Sequence, residues 1–224
     1  MSAIFVTATG TDIGKTFVAR GLIRALRARS RSVAALKPVV SGFEPAEAAG
    51  SDSGLLLAAL GHPVTLETIA QVSPWRFALP LAPDMAAARE GRRLDYAAVI
   101  DFCRTAITEN RDALLIEGVG GVMSPVDHQH TVLDWMAALR LPLILVAGSY
   151  LGTISHTLTA LDVIARRDLT VVSVVISESI GSAVRLDETR EAIAGFAPHL
   201  EVVALPRLAG KPAHAVFDRI AERM

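Results

Sequence analysis

The stretch Ala8-Thr9-Gly10-Thr11-Asp12-Ile13-Gly14-Lys15-Thr16 decides the fold. It follows a short β-branched run, Ile4–Thr7, and opens a helical pattern in which Val18, Leu22, Ala25 and Leu26 share one face. A glycine-rich turn between a strand and a helix is the context of a phosphate loop. Glycine lets successive backbone N–H groups converge on phosphate oxygens, and the helix N-terminus adds partial positive charge. Lys15 is placed to reach the β- and γ-phosphates, and the Thr16 hydroxyl to ligate Mg²⁺. The usual spacing would put glycine at position 9. Here Thr9 stands there and the glycine is at position 10, so the loop is a variant.

Outward from that loop, apolar runs recur at Val33–Leu36, Ala113–Glu117, Leu143–Ala147, Val171–Ile176 and Val202–Leu205. Each is short and bounded by Gly, Pro or polar residues, the pattern of strands buried on both faces. Helical patterns at Leu133 to Leu139, Ile154 to Ile164, Leu186 to Ile193 and Val216 to Ile220 alternate with them. The fold class expected is therefore α/β: a mostly parallel sheet flanked by helices on both faces, of P-loop NTPase type. Between Gly42 and Arg111 the rhythm breaks. That interval holds helical patterns at Ser51–Leu60, Asp84–Arg89 and Leu94–Thr108, and a proline-interrupted stretch, Pro74–Pro83. No repeat or linker divides the chain, so residues 1–224 read as one domain.

Composition narrows the function. The chain has 224 residues, 51% hydrophobic and 20% charged, with a net charge of −1. Such a balance excludes a disordered chain and offers no global attraction to nucleic acid or anionic lipid. No apolar stretch is long enough for a membrane span, and the N-terminus lacks a basic signal region. Cys103 is the only cysteine, so no internal disulfide forms, and a cytoplasmic location is expected. The six histidines show no metal-ligand spacing. The chain has three lysines, Lys15, Lys37 and Lys211, against nineteen arginines. Where lysine persists, a compact ammonium on a flexible stem is what the position needs. Lys15 and Lys37 both fall at strand C-termini, where ligands bind in open α/β sheets.

Four segments together resemble dethiobiotin synthetase: Thr9 to Thr16; Lys37-Pro38-Val39-Val40-Ser41-Gly42; Glu117-Gly118-Val119-Gly120-Gly121; and Leu151-Gly152-Thr153-Ile154-Ser155-His156. They stand in that family's order and approximate spacing, and the resemblance covers nearly the whole chain. It implies a single-domain homodimer that closes a ring. 7,8-Diaminopelargonic acid takes up CO₂ as a carbamate, ATP phosphorylates the carbamate, and the second amine displaces phosphate. The product is dethiobiotin, in the penultimate step of biotin synthesis.

The resemblance also implies roles. Lys37 and Lys15 are the catalytic cations, and Thr11 and Ser41 contact the substrate. Thr16, Asp52 and Glu117 hold Mg²⁺. Nucleotide contacts fall on Asp12, Ile13, Gly14, Lys15, Thr16, Phe17, Asp52, Glu117, Gly118, Val119 and Gly120. The base falls to Ser177, Glu178, Pro206, Arg207 and Leu208. Gly152, Thr153 and Ile154 bind the substrate carboxylate of the partner subunit. Simpler roles compete at several positions: Asp52 and Thr153 also fit as helix caps, Asp12 as a solvated turn residue, and Ser41 as a turn serine.

Three departures stand out. The family often reads Pro-x-Ser-Pro-His where this chain has Pro80-Leu81-Ala82-Pro83-Asp84. A lysine sometimes found before Leu-Gly is Tyr150. An adenine-binding Asn-Asp is Ser177-Glu178, and a serine hydroxyl cannot match the paired donor and acceptor of an amide. A ParA/MinD-like switch ATPase would share the architecture, but the second lysine its loop usually carries is absent here. A cobyrinic-acid amide synthetase would add a glutaminase domain for which the chain has no room.

Overall fold

A computed structural model describes residues 2–109, 112–207 and 215–224. Six strands form the main sheet: β1 (Ser2–Ala8), β2 (Val33–Leu36), β5 (Ala113–Glu117), β6 (Leu143–Gly148), β7 (Val171–Ser177) and β8 (Val202–Leu205). Their spatial order is β2-β5-β1-β6-β7-β8, and every pairing is parallel. The six runs expected from sequence are these six strands, each within two residues at either end.

Strand alternation builds two cores. Phe5, Leu114, Ile116, Leu143 and Leu145 point to one face, while Ile4, Val6, Leu115, Ile144 and Val146 point to the other. On the first face lie α5 (Tyr96–Thr108), α6 (Val132–Leu139), α7 (Thr153–Ala165) and α8 (Leu186–Phe196). Phe5 meets Trp135 of α6 edge-on, with ring centroids 5.3 Å apart. The second face is covered by α1 (Lys15–Ala28), α2 (Asp52–Leu60) and α9 (Ala215–Ala221). Helix α9 sits close to α1 because Gly21 has no side chain: a Cβ there would come within 2.4 Å of the Phe217 ring.

The interval after β2 holds more structure than its sequence suggests. A second sheet pairs β3 (Val39–Ser41) with β4 (Trp75–Phe77) in parallel. Each strand has three residues, too few to show a period, and β3 directly follows Pro38. Helix α3 (Leu66–Val72) also escaped the pattern; its capping box pairs Thr65 with Thr68 rather than with an acid or amide. Helix α4 spans Pro83–Arg89. This subdomain places Ser41, Asp52 and the Pro80–Pro83 loop beside the phosphate loop. Among the described residues, no helix is long and apolar enough to cross a membrane.

Candidate active site

The phosphate loop links β1 to α1 near the middle of the sheet, at its C-terminal edge, with β5 on one side and β6 on the other. Gly14 caps α1 with φ +101, a left-handed conformation suited to glycine, and no side chain caps the helix. The first turn carries no acid. The N–H groups of Asp12 to Thr16 find no acceptor among the described residues. A bare, uncapped helix start of this kind is built for an anion.

Three elements bring charge to that point. Lys37 leaves β2 and is 3% exposed; Glu117 ends β5 and is 1% exposed. Asp52 opens α2 in the surrounding subdomain. Lys37 Nζ lies 2.5 Å from Glu117 Oε1 and 2.9 Å from Asp52 Oδ2, and donates to the Gly118 carbonyl at 3.1 Å. Thr16 Oγ1 donates to the same Glu117 Oε1 at 2.7 Å. Lys15, also buried, donates to the Gly10 carbonyl at 3.1 Å.

The two lysines differ electrostatically. Burial disfavours the charged form of both. For Lys37 the facing carboxylates of Glu117 and Asp52 outweigh burial and raise its pKa. For Lys15 burial, with repulsion from Lys37, lowers the pKa to about 8 despite the nearby acids. Burial would raise Asp52, but the Lys37 ammonium and its hydrogen bond hold that carboxyl below its ordinary value. Among the described residues Lys15 thus has no counterion at contact distance, and its ammonium is held at the phosphate loop by the Gly10 carbonyl.

A cavity of about 700 Å³ opens over these groups, between the phosphate loop and the small subdomain. Thr11, Lys15, Lys37, Ser41 and Asp52 line it, and the Pro80–Pro83 loop forms its far wall. Ser41 Oγ is buried without a partner among the described residues, as is Glu117 Oε2. A hard divalent cation takes oxygen ligands and keeps several waters. Thr16, Asp52 and Glu117 offer such oxygens together, one of them an orphaned carboxylate oxygen, so these residues fit Mg²⁺.

Comparison with known proteins agrees with this arrangement. A family model described as "AAA domain" matches residues 2–210. The chain is 49% identical over 221 residues to an ATP-dependent dethiobiotin synthetase BioD of Methylobacterium nodulans, covering 96% of this chain and 98% of that protein. It is 49% identical to the BioD of Acidiphilium cryptum over 194 residues, and 47% identical to that of a Caulobacter species over 221. These cover 86% and 98% of this chain, and 87% and 94% of those proteins. The chain belongs to the ATP-dependent dethiobiotin synthetases. As such it is an ATP-dependent ligase of biotin synthesis. Among solved structures it resembles a ParA family ATPase from Chlorobium tepidum, with a TM-score of 0.53 at 14% identity and full coverage of both chains. At that identity the likeness shows the P-loop NTPase fold alone.

In this synthetase most of the residues expected at the site converge. Asp12, Gly14 and Phe17 are shared between the large cavity and a second, of about 450 Å³. The second cavity is lined by Ile13, Ser177, Glu178, Pro206 and Arg207. Leu208 lies outside the described residues. Val119 and Gly120 line the first cavity, and Gly118 contributes its carbonyl to Lys37. The glycines of Gly118-Val119-Gly120-Gly121 are explained by packing. A Cβ at 118 would meet the Phe5 ring at 2.9 Å, and one at 120 would come within 2.2 Å of Ser124 Oγ.

Gly152, Thr153 and Ile154 lie at the start of α7 and do not line the cavity of their own chain. Thr153 is turned inward: its hydroxyl donates to the Gly148 carbonyl at 2.7 Å and its N–H to the Tyr150 carbonyl at 3.1 Å. Of these three residues, Gly152 and Ile154 have N–H groups with no acceptor among the described residues. Tyr150, in the place of a family lysine, hydrogen-bonds His156 at 3.0 Å. Sequence reasoning missed Ser124, whose hydroxyl accepts the Gly121 N–H at 2.7 Å, and Ser179, whose hydroxyl accepts the Ser149 N–H. The Gly-Gly-x-x-Ser spacing was the available signal for the first. Nothing local marks the second, which is paired across two strand ends.

Proposed function

We propose that this synthetase converts 7,8-diaminopelargonic acid, CO₂ and ATP to dethiobiotin, ADP and phosphate. The observation that carries the reading is the pairing of Lys15 and Lys37 with an unpartnered Ser41 hydroxyl in one cavity over a bare phosphate loop. The loop amides and Lys15 hold the nucleotide phosphates at the helix N-terminus. One substrate amine adds CO₂ to give a carbamate, releasing a proton. A carbamate oxygen attacks the γ-phosphorus in line, ADP leaves, and a mixed anhydride forms. The second amine attacks the carbonyl carbon, closes the cyclic urea and expels phosphate.

Carbamate, transferred phosphoryl and leaving group are all anionic. Lys15 and Lys37 supply fixed positive charge where negative charge develops, the main protein contribution in phosphoryl transfer. Ser41 orients the substrate by its free hydroxyl. Mg²⁺, held by Thr16, Asp52 and Glu117, would supply further charge neutralisation on the phosphates. Lys37 is engaged with the same two carboxylates, so its release toward the carbamate accompanies cation binding to those acids.

The enzyme acts as a homodimer in the cytoplasm. Leu151, 82% exposed next to Gly152, is an apolar contact suited to a second copy, whose substrate carboxylate would meet the free amides of Gly152 and Ile154. Phosphate release measured with and without the diamine and bicarbonate tests the reaction. Release that requires both, with dethiobiotin as product, is expected. Rapid hydrolysis indifferent to the diamine would overturn the reading.

A further inference from the structure

Two segments distant in sequence meet at the edge of the large cavity: the turn after Ser41 and the Pro80–Pro83 loop. Strand β3 ends at Ser41, which pairs with Phe77 of β4. Past that end the two chains stay together. The Gly42 N–H donates to the Leu79 carbonyl at 3.0 Å, and the Phe43 N–H to the Phe77 carbonyl at 2.9 Å. Gly42 has φ +73, and a Cβ there would stand 3.2 Å from Pro80 Cβ and 3.5 Å from Pro80 Cα. Glycine therefore suits both the turn and the close approach of the proline ring.

The loop that faces this turn is stiff. Pro80 and Pro83 have fixed φ and donate no hydrogen bond. The Leu81 N–H turns back to the Leu79 carbonyl at 2.9 Å, and the Ala78 N–H donates to Glu90 Oε1 at 2.7 Å. Pro83 then starts α4. Val40, Pro80, Leu81, Ala82 and Pro83 all line the cavity, so this end offers hydrocarbon beside the buried Ser41 hydroxyl, which has no partner among the described residues. The charged groups Lys15, Lys37 and Asp52 line the same cavity across from that wall. A stiff wall pressed against the turn that carries Ser41 stands at a fixed distance from its hydroxyl.

We infer that Gly42 is a positioning residue for the diamine: its close contact with Pro80 sets the gap between the Ser41 hydroxyl and the Pro80–Pro83 wall, and with it the fit of the carbon skeleton beside the two amines. The inference rests on the reading of this cavity as the diamine site. The nitrogens turn toward Ser41 and the phosphate loop, and the hydrocarbon lies against the wall. A side chain at position 42 forces Pro80 to give by a few tenths of an ångström. That shift loosens the hold on the diamine and leaves the nucleotide phosphates, held by the loop amides and Lys15, untouched. A misplacement of about 1 Å can cost about 10²-fold, so a shift of this size is expected to cost about tenfold.

A double-mutant cycle on the intact enzyme tests this, read as KM for 7,8-diaminopelargonic acid and as ATP affinity by calorimetry. Gly42→Ala is expected to raise KM for the diamine about tenfold with ATP affinity unchanged. In the Pro80→Gly background, where the opposing Cβ is gone, the factor added by Gly42→Ala vanishes. Gly42→Asn carries the same Cβ but adopts a left-handed φ more readily, so it reproduces the KM change and takes the place of Gly42→Ala if that variant does not fold. An unchanged KM in the folded variants, a parallel loss of ATP affinity, or the same factor in both backgrounds overturns the inference and leaves the diamine reading intact. A native enzyme without diamine-dependent turnover overturns the reading and the inference together.

Discussion

Lys37 Nζ stands 2.5 Å from Glu117 Oε1, with Asp52 Oδ2 at 2.9 Å on its other side. One buried ammonium thus joins the end of β2 to the end of β5 and to the first residue of α2. The tie fastens the small subdomain to the main sheet at the active site. It also means that the three residues cannot be altered independently.

Replacing Lys37 should therefore affect both catalysis and fold. Lys37→Met is expected to lower kcat roughly 10²–10³-fold, the scale for one preorganised charge-stabilising donor. Breaking a buried ion pair costs about 3–5 kcal/mol, so Tm in EDTA should fall on the order of 10 °C for a chain of this length. A strand-end position alone would suggest an innocuous change, but burial at 3% exposure makes it costly. Adding Mg²⁺ should restore more Tm to the variant than to the native enzyme, because the two carboxylates are left without their cation. A native Tm in the variant would show that the pair contributes nothing.

The same pair shapes stability against pH. Asp52 is held below its ordinary value, so its contribution is present above about pH 4 and is lost as pH falls. Lys37 is raised, so its contribution is present below about pH 10 and is lost as pH climbs through the folded value. The Tm difference between native enzyme and Lys37→Met should accordingly be flat from about pH 5 to 7, below the range in which Lys15 titrates, and shrink at the acid and strongly alkaline extremes. A difference that grows toward acid would contradict the assignment.

The proposed placing of Lys15 on the nucleotide phosphates predicts pH-linked binding. Its pKa of about 8 reflects burial and the neighbouring Lys37, with phosphate absent. Phosphate oxygens favour the charged form and raise the pKa on binding. Between pH 8 and about 10, binding therefore takes up a proton, and affinity falls as pH rises through that range. Calorimetry of ATP binding at pH 8.5 in two buffers of different ionisation enthalpy measures the uptake. Zero uptake, with Lys15→Arg behaving identically, would remove Lys15 from the phosphate site.

The proposed homodimer, with its carboxylate site shared between subunits, predicts complementation. Gly152 has φ +95, so Gly152→Ala is strained and distorts the start of α7 without touching the phosphate loop of its own chain. Mixtures of Gly152→Ala and Lys15→Ala, each impaired alone, should regain activity approaching a quarter of native at equal amounts, the share of one intact site in a random dimer population. An additive rate in the mixture would assign the carboxylate site elsewhere.

Cys103 should be chemically silent in the folded protein. It is fully buried, and burial pushes its thiol up to about 12. The reactive thiolate is therefore scarce as well as inaccessible. Labelling with a disulfide reagent at pH 8 should follow global unfolding, and prompt reaction in native buffer would point to local opening of α5.

The sequence by itself determined the main sheet, its crossover helices and the phosphate loop. Those signals are local: six β-branched runs long enough to show burial, and a glycine at position 14 directly before Lys15 and Thr16. It also brought Lys37, Asp52 and Glu117 forward as site residues, through the resemblance of whole motifs. Only the tertiary structure decided that these three share one ion-paired cluster, because Asp52 and Glu117 are separated by 65 positions and meet through packing of α2 against the sheet. The strands β3 and β4 were illegible for the same reason: three residues carry no period, and each is defined by its partner. The inward turn of Thr153 and the hydrogen bond from the Arg207 N–H to the Glu178 carboxylate likewise depend on strand ends brought side by side, a proximity that no local sequence signal encodes.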